Sequence, residues 1–173
     1  YGVPPFETRE ILERDLGPVL RYLERRTGRP FEMQIADSYG HTSRLLQQDA
    51  VDLAMLTPLL YILTRRAEPN IRTIAVREFG GSVTSNGLLL VLSSDHVHGL
   101  EELRGETFCL TDAHSTTGNF LPRALIRRRG WDPQEFIGAV HWSGNHLQVF
   151  RDLLDGKCKV AATYSGSFLT ADS

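Results

Sequence analysis

The sequence lacks the features that mark several large classes of protein. Its 173 residues include only two cysteines, and its net charge is −2. The longest apolar run covers residues 87–92, far short of the roughly 18 residues that a membrane-spanning helix needs. A slightly negative chain has no field that attracts nucleic acid, so we expect no nucleic-acid partner. An anionic ligand would have to be captured by a local site.

The sequence also contains little that indicates catalysis. No nucleophile–base pair and no pair of carboxylates stands at a telling spacing, so we expect no catalytic residues. No CxxC or Cys/His cluster is present, so we expect no metal and no cofactor. Cys109 and Cys158 are too few for a disulfide framework. They either form one bridge in an oxidising compartment or remain two buried thiols.

Strand and helix patterns alternate along the whole chain, which predicts an α/β fold with parallel sheets covered by helices. The first helix ends at Gly28 and is interrupted by Gly17-Pro18, so it is either two helices or one. The first strand is predicted to end at Pro5. Further strands are predicted over residues 31–36, 51–56, 71–76, 88–92, 107–111, 137–142 and 159–163. The later helices are predicted near residue 45 and over residues 57–66, 100–103, 117–129 and 145–154.

A stretch rich in Gly and Ser at residues 79–87 divides this alternation into two halves. We interpret it as a hinge or crossover, with lobe 1 over residues 1–82 and lobe 2 over residues 83–173. Ligands of such folds bind beyond the carboxyl ends of the strands. The turns of interest therefore follow Ala36, Leu56, Thr111, Trp142 and Thr163.

The turn after Thr111 is the most informative of these. Ser115, Thr116 and Thr117 open a predicted helix, and the small Gly118 follows. The first N–H groups of a helix have no partner inside it, and the helix dipole adds partial positive charge there. The turn therefore predicts a compact anion site. An ordinary helix cap explains the same hydroxyls, and the stretch matches neither a P-loop nor a nucleophile elbow.

Short motifs also follow one another in a defined order along the chain. They include Val51-Asp52-Leu53-Ala54, Ser115-Thr116-Thr117-Gly118 and Ser143-Gly144-Asn145-His146, and the full set covers residues 2–5, 22–28, 39, 51–61, 100–105, 112–122, 130–136, 143–146 and 156–163. In this order they resemble the periplasmic phosphate/phosphite/phosphonate-binding proteins of ABC transporters.

The resemblance implies a two-lobed periplasmic-binding-protein (Venus-flytrap) fold that holds a phosphate- or phosphonate-type oxyanion in its cleft. It implies a monomer without enzymatic activity that delivers this small molecule to a membrane permease. The protein would be periplasmic or extracytoplasmic, with or without a lipid anchor. The residues expected to line the site are Tyr39, Thr57, Tyr61, Asn86, Ser115, Thr116, Thr117, Gly118, His146 and Tyr164. His146 either donates a hydrogen bond to the anion or belongs to the helix cap.

Three features depart from the family pattern. Lys159 stands where the family often has Asp, which changes a charge near the expected cleft and weakens the expectation that an amino group is recognised. Ser85-Asn86-Gly87 stands where many members carry a tyrosine. The chain ends soon after Phe168, so the return to lobe 1 is expected to be missing. A ligand-sensing input domain of the same fold is the alternative function, and an enzyme is a more distant one.

Overall fold

The computed structural model describes residues 1–78 and 81–167. The chain divides into two compact units, Tyr1–Arg72 and Thr73–Ser173. We call them unit 1 and unit 2, and the division into lobes at residue 82 stays a prediction. In the part of the chain that is described, no helix combines the length and the apolar character needed to cross a membrane.

Unit 1 contains two short strands and three helices. β1 (Gly2–Val3) pairs in parallel with β2 (Gln34–Ile35). The helices are α1 (Arg9–Thr27), α2 (Tyr39–Gln47) and α3 (Pro58–Ala67). Each begins after a hydroxyl residue whose side chain accepts a hydrogen bond from a backbone N–H of the first turn.

The structure decides between the two alternatives for α1 and differs from two of the predicted strands. α1 is one continuous helix with Pro18 inside it, because its buried Leu12, Leu16 and Leu20 face compensates for the lost backbone bond. The strand predicted over residues 51–56 is reduced to a bridge from Ala54 to the very short β1. The strand predicted over residues 71–76 is absent, because no described strand pairs with this exposed segment.

Unit 2 is built on a four-stranded sheet with the order β3-β6-β4-β5. Its strands are β3 (Gly87–Leu90), β4 (Thr107–Leu110), β5 (Ala139–Trp142) and β6 (Val160–Tyr164). β4 pairs in parallel with β5 and β6, as the alternation predicted. β3 pairs antiparallel with β6, so the expectation of a wholly parallel sheet was wrong.

Helices cover both faces of this sheet. The α-helices are α4 (Leu121–Arg128), α5 (Pro133–Phe136) and α6 (His146–Leu154), and short 3-10 helices cover Ser93–Asp95, Leu100–Leu103 and Ser165–Ser167. Successive residues of β4 point to opposite faces. Phe108 and Leu110 therefore join one buried cluster, whereas Cys109 joins another with Val149 of α6.

The structure resolves the two alternatives for the cysteines. Cys109 on β4 and Cys158, just before β6, form a disulfide between neighbouring strands with Cα atoms 5.6 Å apart. Both residues are buried. The bridge therefore ties β4 to the approach to β6 inside the core of unit 2.

We predict that this disulfide stabilises unit 2 substantially. The bridge closes a sequence separation of 49 residues, for which the chain-entropy relation gives about 4 kcal/mol. Urea unfolding should show a clear loss of stability on reduction and in the Cys109→Ala/Cys158→Ala double variant. Reductant should leave that variant unchanged, which is the control. Equal midpoints for oxidised protein and double variant would contradict the prediction.

Candidate functional site

The candidate site lies at one edge of the unit 2 sheet. Because β4, β5 and β6 run parallel, their carboxyl ends meet at this edge, and the antiparallel β3 begins there, with Gly87 opposite Tyr164. Backbone bonds join the turns that follow the strands. Gly144 N–H donates to the Thr111 carbonyl at 2.9 Å, and Thr111 N–H donates to the Gly118 carbonyl at 3.2 Å. The edge is therefore a connected set of turns.

The hydroxyl turn (residues 115–118) starts a helix, as predicted. Ser115 is its N-cap, and Ser115 Oγ accepts a hydrogen bond from Gly118 N–H at 3.0 Å. The first turn, Thr116–Phe120, is π-helical, and α4 continues directly from it. A π-helical turn is wider than an α-helical one and is common at functional sites.

Gly118 is required by the packing of this turn. A Cβ added there would overlap Thr111 Oγ1 and lie 2.9 Å from Ser115 Oγ. Thr111 is only 1% exposed, and within residues 1–78 and 81–167 its hydroxyl has no hydrogen-bond partner. A buried hydroxyl without a partner is unfavourable. The back of the hydroxyl turn therefore contains unused hydrogen-bonding capacity.

Side chains on both sides of the turn hold it in place. Asp112 Oδ1 accepts a hydrogen bond from His114 N–H at 2.7 Å, which shapes the loop just before the hydroxyl turn. Asn119 Nδ2 donates to the Ala113 carbonyl, and Asn119 Oδ1 accepts from Arg123 Nε, both at 2.8 Å. These bonds fix the turn before any ligand arrives, which is the preorganisation that small-molecule sites need.

His146 begins α6 beside the same edge, directly after its N-cap Asn145. The residue is 4% exposed, and its Nδ1 lies 3.0 Å from Thr163 Oγ1 of β6. The Tyr164 ring packs against it edge to face, with centroids 4.7 Å apart. Burial lowers the pKa of His146 to about 4. The imidazole is therefore neutral at physiological pH.

A buried carboxylate anchors the helix that carries His146. Asp152 of α6 accepts hydrogen bonds from Lys157 Nζ at 2.7 Å and from Gln148 Nε2 at 2.8 Å, and His141 Nε2 of β5 lies 3.0 Å from its other oxygen. Burial alone would raise the pKa of Asp152, but the hydrogen bonds from Lys157 and Gln148 and the charge of Lys157 outweigh burial and hold the pKa below its ordinary value. The network ties α6 to β5 and so fixes the start of the helix.

One further predicted residue, Asn86, lies at this edge. Ser165 N–H donates to the Asn86 carbonyl at 3.0 Å, and Asn86 N–H donates to Ser165 Oγ at 3.3 Å. A Cβ added at Gly87 would lie 3.9 Å from Thr117 Cα, so the start of β3 adjoins the hydroxyl turn. The structure therefore gathers Asn86, Ser115, Thr116, Thr117, Gly118, His146 and Tyr164 along one edge.

The other three predicted residues belong to unit 1. Tyr39 is the first residue of α2 and is fully buried. Thr57 is the N-cap of α3, where its Oγ1 accepts from Leu60 N–H at 3.4 Å. One turn later, the Tyr61 hydroxyl accepts from Arg65 Nη1 at 3.1 Å. Their contact with a ligand stays a prediction.

The expectation that Lys159 changes the charge near the site was wrong. Lys159 precedes β6, and its N–H donates to the carbonyl of Thr107, the first residue of β4. It therefore lies at the amino ends of these strands, about 16 Å from Tyr164 at the rise of a β-strand. Its Nζ is also paired with Asp95 at 2.7 Å.

Sequence reasoning missed the residues that support the site from behind. Thr111, Thr163 and Ser167 are buried hydroxyl residues that ended or followed a predicted strand. Their position beyond strand ends was the available signal, but an isolated threonine at a strand end is common. Over residues 1–78 and 81–167, no group of three or more His, Cys, Asp or Glu residues could hold a metal ion.

Comparison with known sequences gives one family. The sequence profile of the family described as "ABC transporter, phosphonate, periplasmic substrate-binding protein" matches residues 1–172. Among curated proteins, the phosphate-import protein PhnD of Mycolicibacterium smegmatis is similar. It is 27% identical over 130 residues, which are 73% of this chain and 40% of that protein.

Solved structures show the same fold. PhnD1 from Prochlorococcus marinus, solved in complex with methylphosphonate, matches with a TM-score of 0.87 at 16% identity, covering 98% of this chain and 64% of that one. A binding protein component of an ABC phosphonate transporter from Pseudomonas aeruginosa matches with a TM-score of 0.80 at 18% identity, covering 95% and 56%. The predicted α/β periplasmic-binding-protein fold is confirmed, and this chain spans less than two thirds of these relatives.

We predict that Gly118→Ala disrupts the hydroxyl turn. The new Cβ would overlap the Thr111 hydroxyl and crowd the Ser115 cap, and overpacking of this kind costs about 1–3 kcal/mol. Thermal unfolding should show a lower midpoint. Adding Thr111→Ala should recover part of the loss, whereas Thr111→Ala alone is the control. An unchanged midpoint for Gly118→Ala would show that the turn is looser than described.

We also predict that stability falls below about pH 6.5 because of His146. The unfolded chain takes up a proton near the ordinary pKa of 6.5, whereas the folded chain does so only near a pKa of about 4. Between these values the unfolded state binds more protons, so acidification lowers the free energy of unfolding by up to about 3 kcal/mol. The loss is complete near pH 4.

Urea unfolding at a series of pH values measures this effect. His146→Asn keeps an amide near the position of Nδ1 and removes the titrating group, so its stability should depend less on pH over this window. His98→Asn, at an exposed position, is the matched control and should behave as the parent protein does. Identical pH profiles for the His146 variant and the parent would refute the assignment.

Proposed function

The chain belongs to the family of periplasmic substrate-binding proteins of phosphonate ABC transporters, and we propose that it captures a small phosphorus oxyanion for import. Members of this family bind substrates for transport and are not enzymes. One relative is a phosphate-import protein, and another was solved in complex with methylphosphonate. Phosphate and methylphosphonate are both compact tetrahedral oxyanions, and this shared chemistry is the ligand class that we propose here.

The observation that carries the proposal is the convergence of donors at the carboxyl edge of unit 2. The hydroxyl turn supplies Ser115, Thr116 and Thr117 together with the N–H groups of a helix start. Such a start combines unpaired donors with the positive end of the helix dipole, which suits an oxyanion. Since Ser115 Oγ accepts from Gly118 N–H, the Ser115 proton remains able to donate to a ligand.

We further propose that unit 1 completes the site when the two lobes close. Tyr39 begins α2, Thr57 is the N-cap of α3, and Tyr61 lies in the first turn of α3. Tyrosine offers both a hydroxyl and an apolar wall, and that combination fits the organic substituent of a phosphonate. The segment Ser85-Asn86-Gly87, where the resemblance leads us to expect a tyrosine, would make the wall less aromatic.

The setting of the protein follows from the same proposal. A buried disulfide between Cys109 and Cys158 is typical of proteins that fold in an oxidising compartment. This supports a periplasmic or other extracytoplasmic location, where a monomer would pass its ligand to the membrane permease. A lipid anchor is compatible with that location.

A thermal-shift screen tests the ligand class. Phosphate, phosphite, methylphosphonate, sulfate and acetate are added to the protein, each well above the expected dissociation constant. A ligand at 100 times its dissociation constant stabilises the folded state by about 2.7 kcal/mol. We expect a shift with at least one phosphorus compound and none with acetate. A shift with acetate alone, or with none of the five, would overturn the proposed function.

We predict that Thr116→Ala and Thr117→Ala weaken binding of the phosphorus compound by about 1–3 kcal/mol each, the cost of a lost hydrogen-bond partner. Titration calorimetry measures the dissociation constants. The matched control is Thr107→Ala, which makes the same change at the opposite end of β4 and should bind normally. Normal affinity in both hydroxyl-turn variants would exclude the hydroxyl turn as the binding site.

A further inference from the structure

A short chain of hydrogen bonds behind His146 has a direction that can be read from its last acceptor. His146 Nδ1 lies 3.0 Å from Thr163 Oγ1, Thr163 Oγ1 lies 2.8 Å from Ser167 Oγ, and Ser167 Oγ lies 2.6 Å from the Tyr164 carbonyl oxygen. The first two bonds are buried inside unit 2, and the third is partly buried. The chain therefore links the imidazole to the backbone just beyond the end of β6.

A carbonyl oxygen only accepts hydrogen bonds, so the proton of Ser167 must point to Tyr164. Ser167 Oγ then accepts from Thr163, and the single proton of Thr163 is used in that bond. Thr163 Oγ1 is left as the acceptor for His146. Nδ1 of His146 must therefore carry a proton.

The ring is neutral, so the proton on Nδ1 leaves Nε2 without one. The low pKa of His146, caused by burial, agrees with a neutral ring. Nε2 points away from Thr163 and makes no hydrogen bond with the residues that the structure describes. Beside a site rich in donors, His146 thus presents an acceptor. The expectation that His146 donates a hydrogen bond to the anion does not agree with the direction of these hydrogen bonds.

We propose that Nε2 of His146 accepts a hydrogen bond from a protonated oxygen of the ligand. The site would then select a singly protonated phosphorus oxyanion, such as hydrogen methylphosphonate, over tetrahedral anions that carry no proton. This inference rests on the proposed function, because it assigns a protonation state to the ligand of that site. The hydroxyl turn binds the ionised oxygens, and His146 Nε2 accepts a hydrogen bond from the remaining P–OH group.

Few charged groups face His146 from the elements packed against it. α6 packs on β4 and β6. The titratable side chain of β6 is Tyr164, and that of β4 is Cys109, which is held in the disulfide. Ser165–Ser167 contains no titratable side chain. No described group on these elements therefore supplies a charge that would hold a proton on Nε2.

The same holds for the nearest charged residues along the chain. On α6 itself, Asp152 is engaged by Lys157, and Arg151 is exposed. In the loop before the hydroxyl turn, Asp112 and His114 are paired with one another at 3.4 Å. An acceptor at Nε2 is therefore a property of the hydrogen-bond chain and is not imposed by a neighbouring charge.

The tautomer is tested directly by nitrogen NMR of the histidine side chains in the protein without ligand at neutral pH. We expect His146 to show a protonated Nδ1 and an unprotonated Nε2. A protonated Nε2, in either the other tautomer or the imidazolium, would overturn the inference. This measurement needs no ligand, so it does not depend on the proposed function.

Ligand selection is tested by calorimetry with methylphosphonate and methanesulfonate. Both are tetrahedral and can carry one negative charge, but only hydrogen methylphosphonate has a proton to donate. We expect methylphosphonate to bind at least about tenfold more tightly, the equivalent of one hydrogen bond. The affinity for methylphosphonate should also fall about tenfold per pH unit above the second pKa of methylphosphonate, because the singly protonated form becomes rarer there. The bound complex should still show an unprotonated Nε2.

Two variants of the acceptor on β6 separate positioning from simple packing. Thr163→Val removes the acceptor for Nδ1 and keeps the shape of the side chain. The preference for methylphosphonate over methanesulfonate should therefore become smaller. Thr163→Ser keeps the acceptor and should restore the preference. Tight methanesulfonate binding, or affinity that does not change with pH, would overturn the inference while the proposed function stands. Failure of every phosphorus compound to bind would overturn both.

Discussion

The parallel pairing of β4 with β5 and β6 is the constraint on which the rest of unit 2 depends. It brings the ends of three strands to one edge, so that the turns carrying Thr111, Gly144 and Tyr164 are neighbours although they are far apart in sequence. It also places the starts of two helical segments at that edge, where the first N–H groups of a helix have no partner within the helix itself. The disulfide and the Asp152 network lie behind this edge and keep the strands and α6 in register.

The chemistry of the edge depends on neutral groups more than on charges. The net charge of the chain is −2, and Arg123, which lies next to the hydroxyl turn, is used to hold Asn119. An anion at this edge would therefore be stabilised by oriented N–H and O–H dipoles, which cost little reorganisation when they are already fixed. Such dipoles can be donors or acceptors, and their pattern can match the protonation pattern of a ligand in a way that a point charge cannot.

Much of this arrangement could be predicted from the sequence. The alternation of strands and helices, the hydroxyl turn and the start of α6 at Asn145-His146 all follow from local patterns of capping and apolar spacing. The antiparallel β3 could not be predicted, because strand direction depends on which neighbour a strand pairs with. The position of Lys159 was missed for a related reason, since only the register of β6 against β4 shows which end of the sheet it occupies.

The supporting hydroxyls show why a site is harder to predict than a fold. Thr163 and Ser167 touch His146 through a relay whose direction exists only in three dimensions, because it is decided by a backbone carbonyl as its last acceptor. A histidine in sequence is equally a donor, an acceptor or a cation, and motif resemblance does not distinguish among these. Here burial keeps the ring neutral, and the hydrogen bonds to Thr163 and Ser167 exclude the tautomer without a proton on Nδ1. What remains is an acceptor among donors, and an acceptor at an oxyanion site is useful only if the ligand brings a proton.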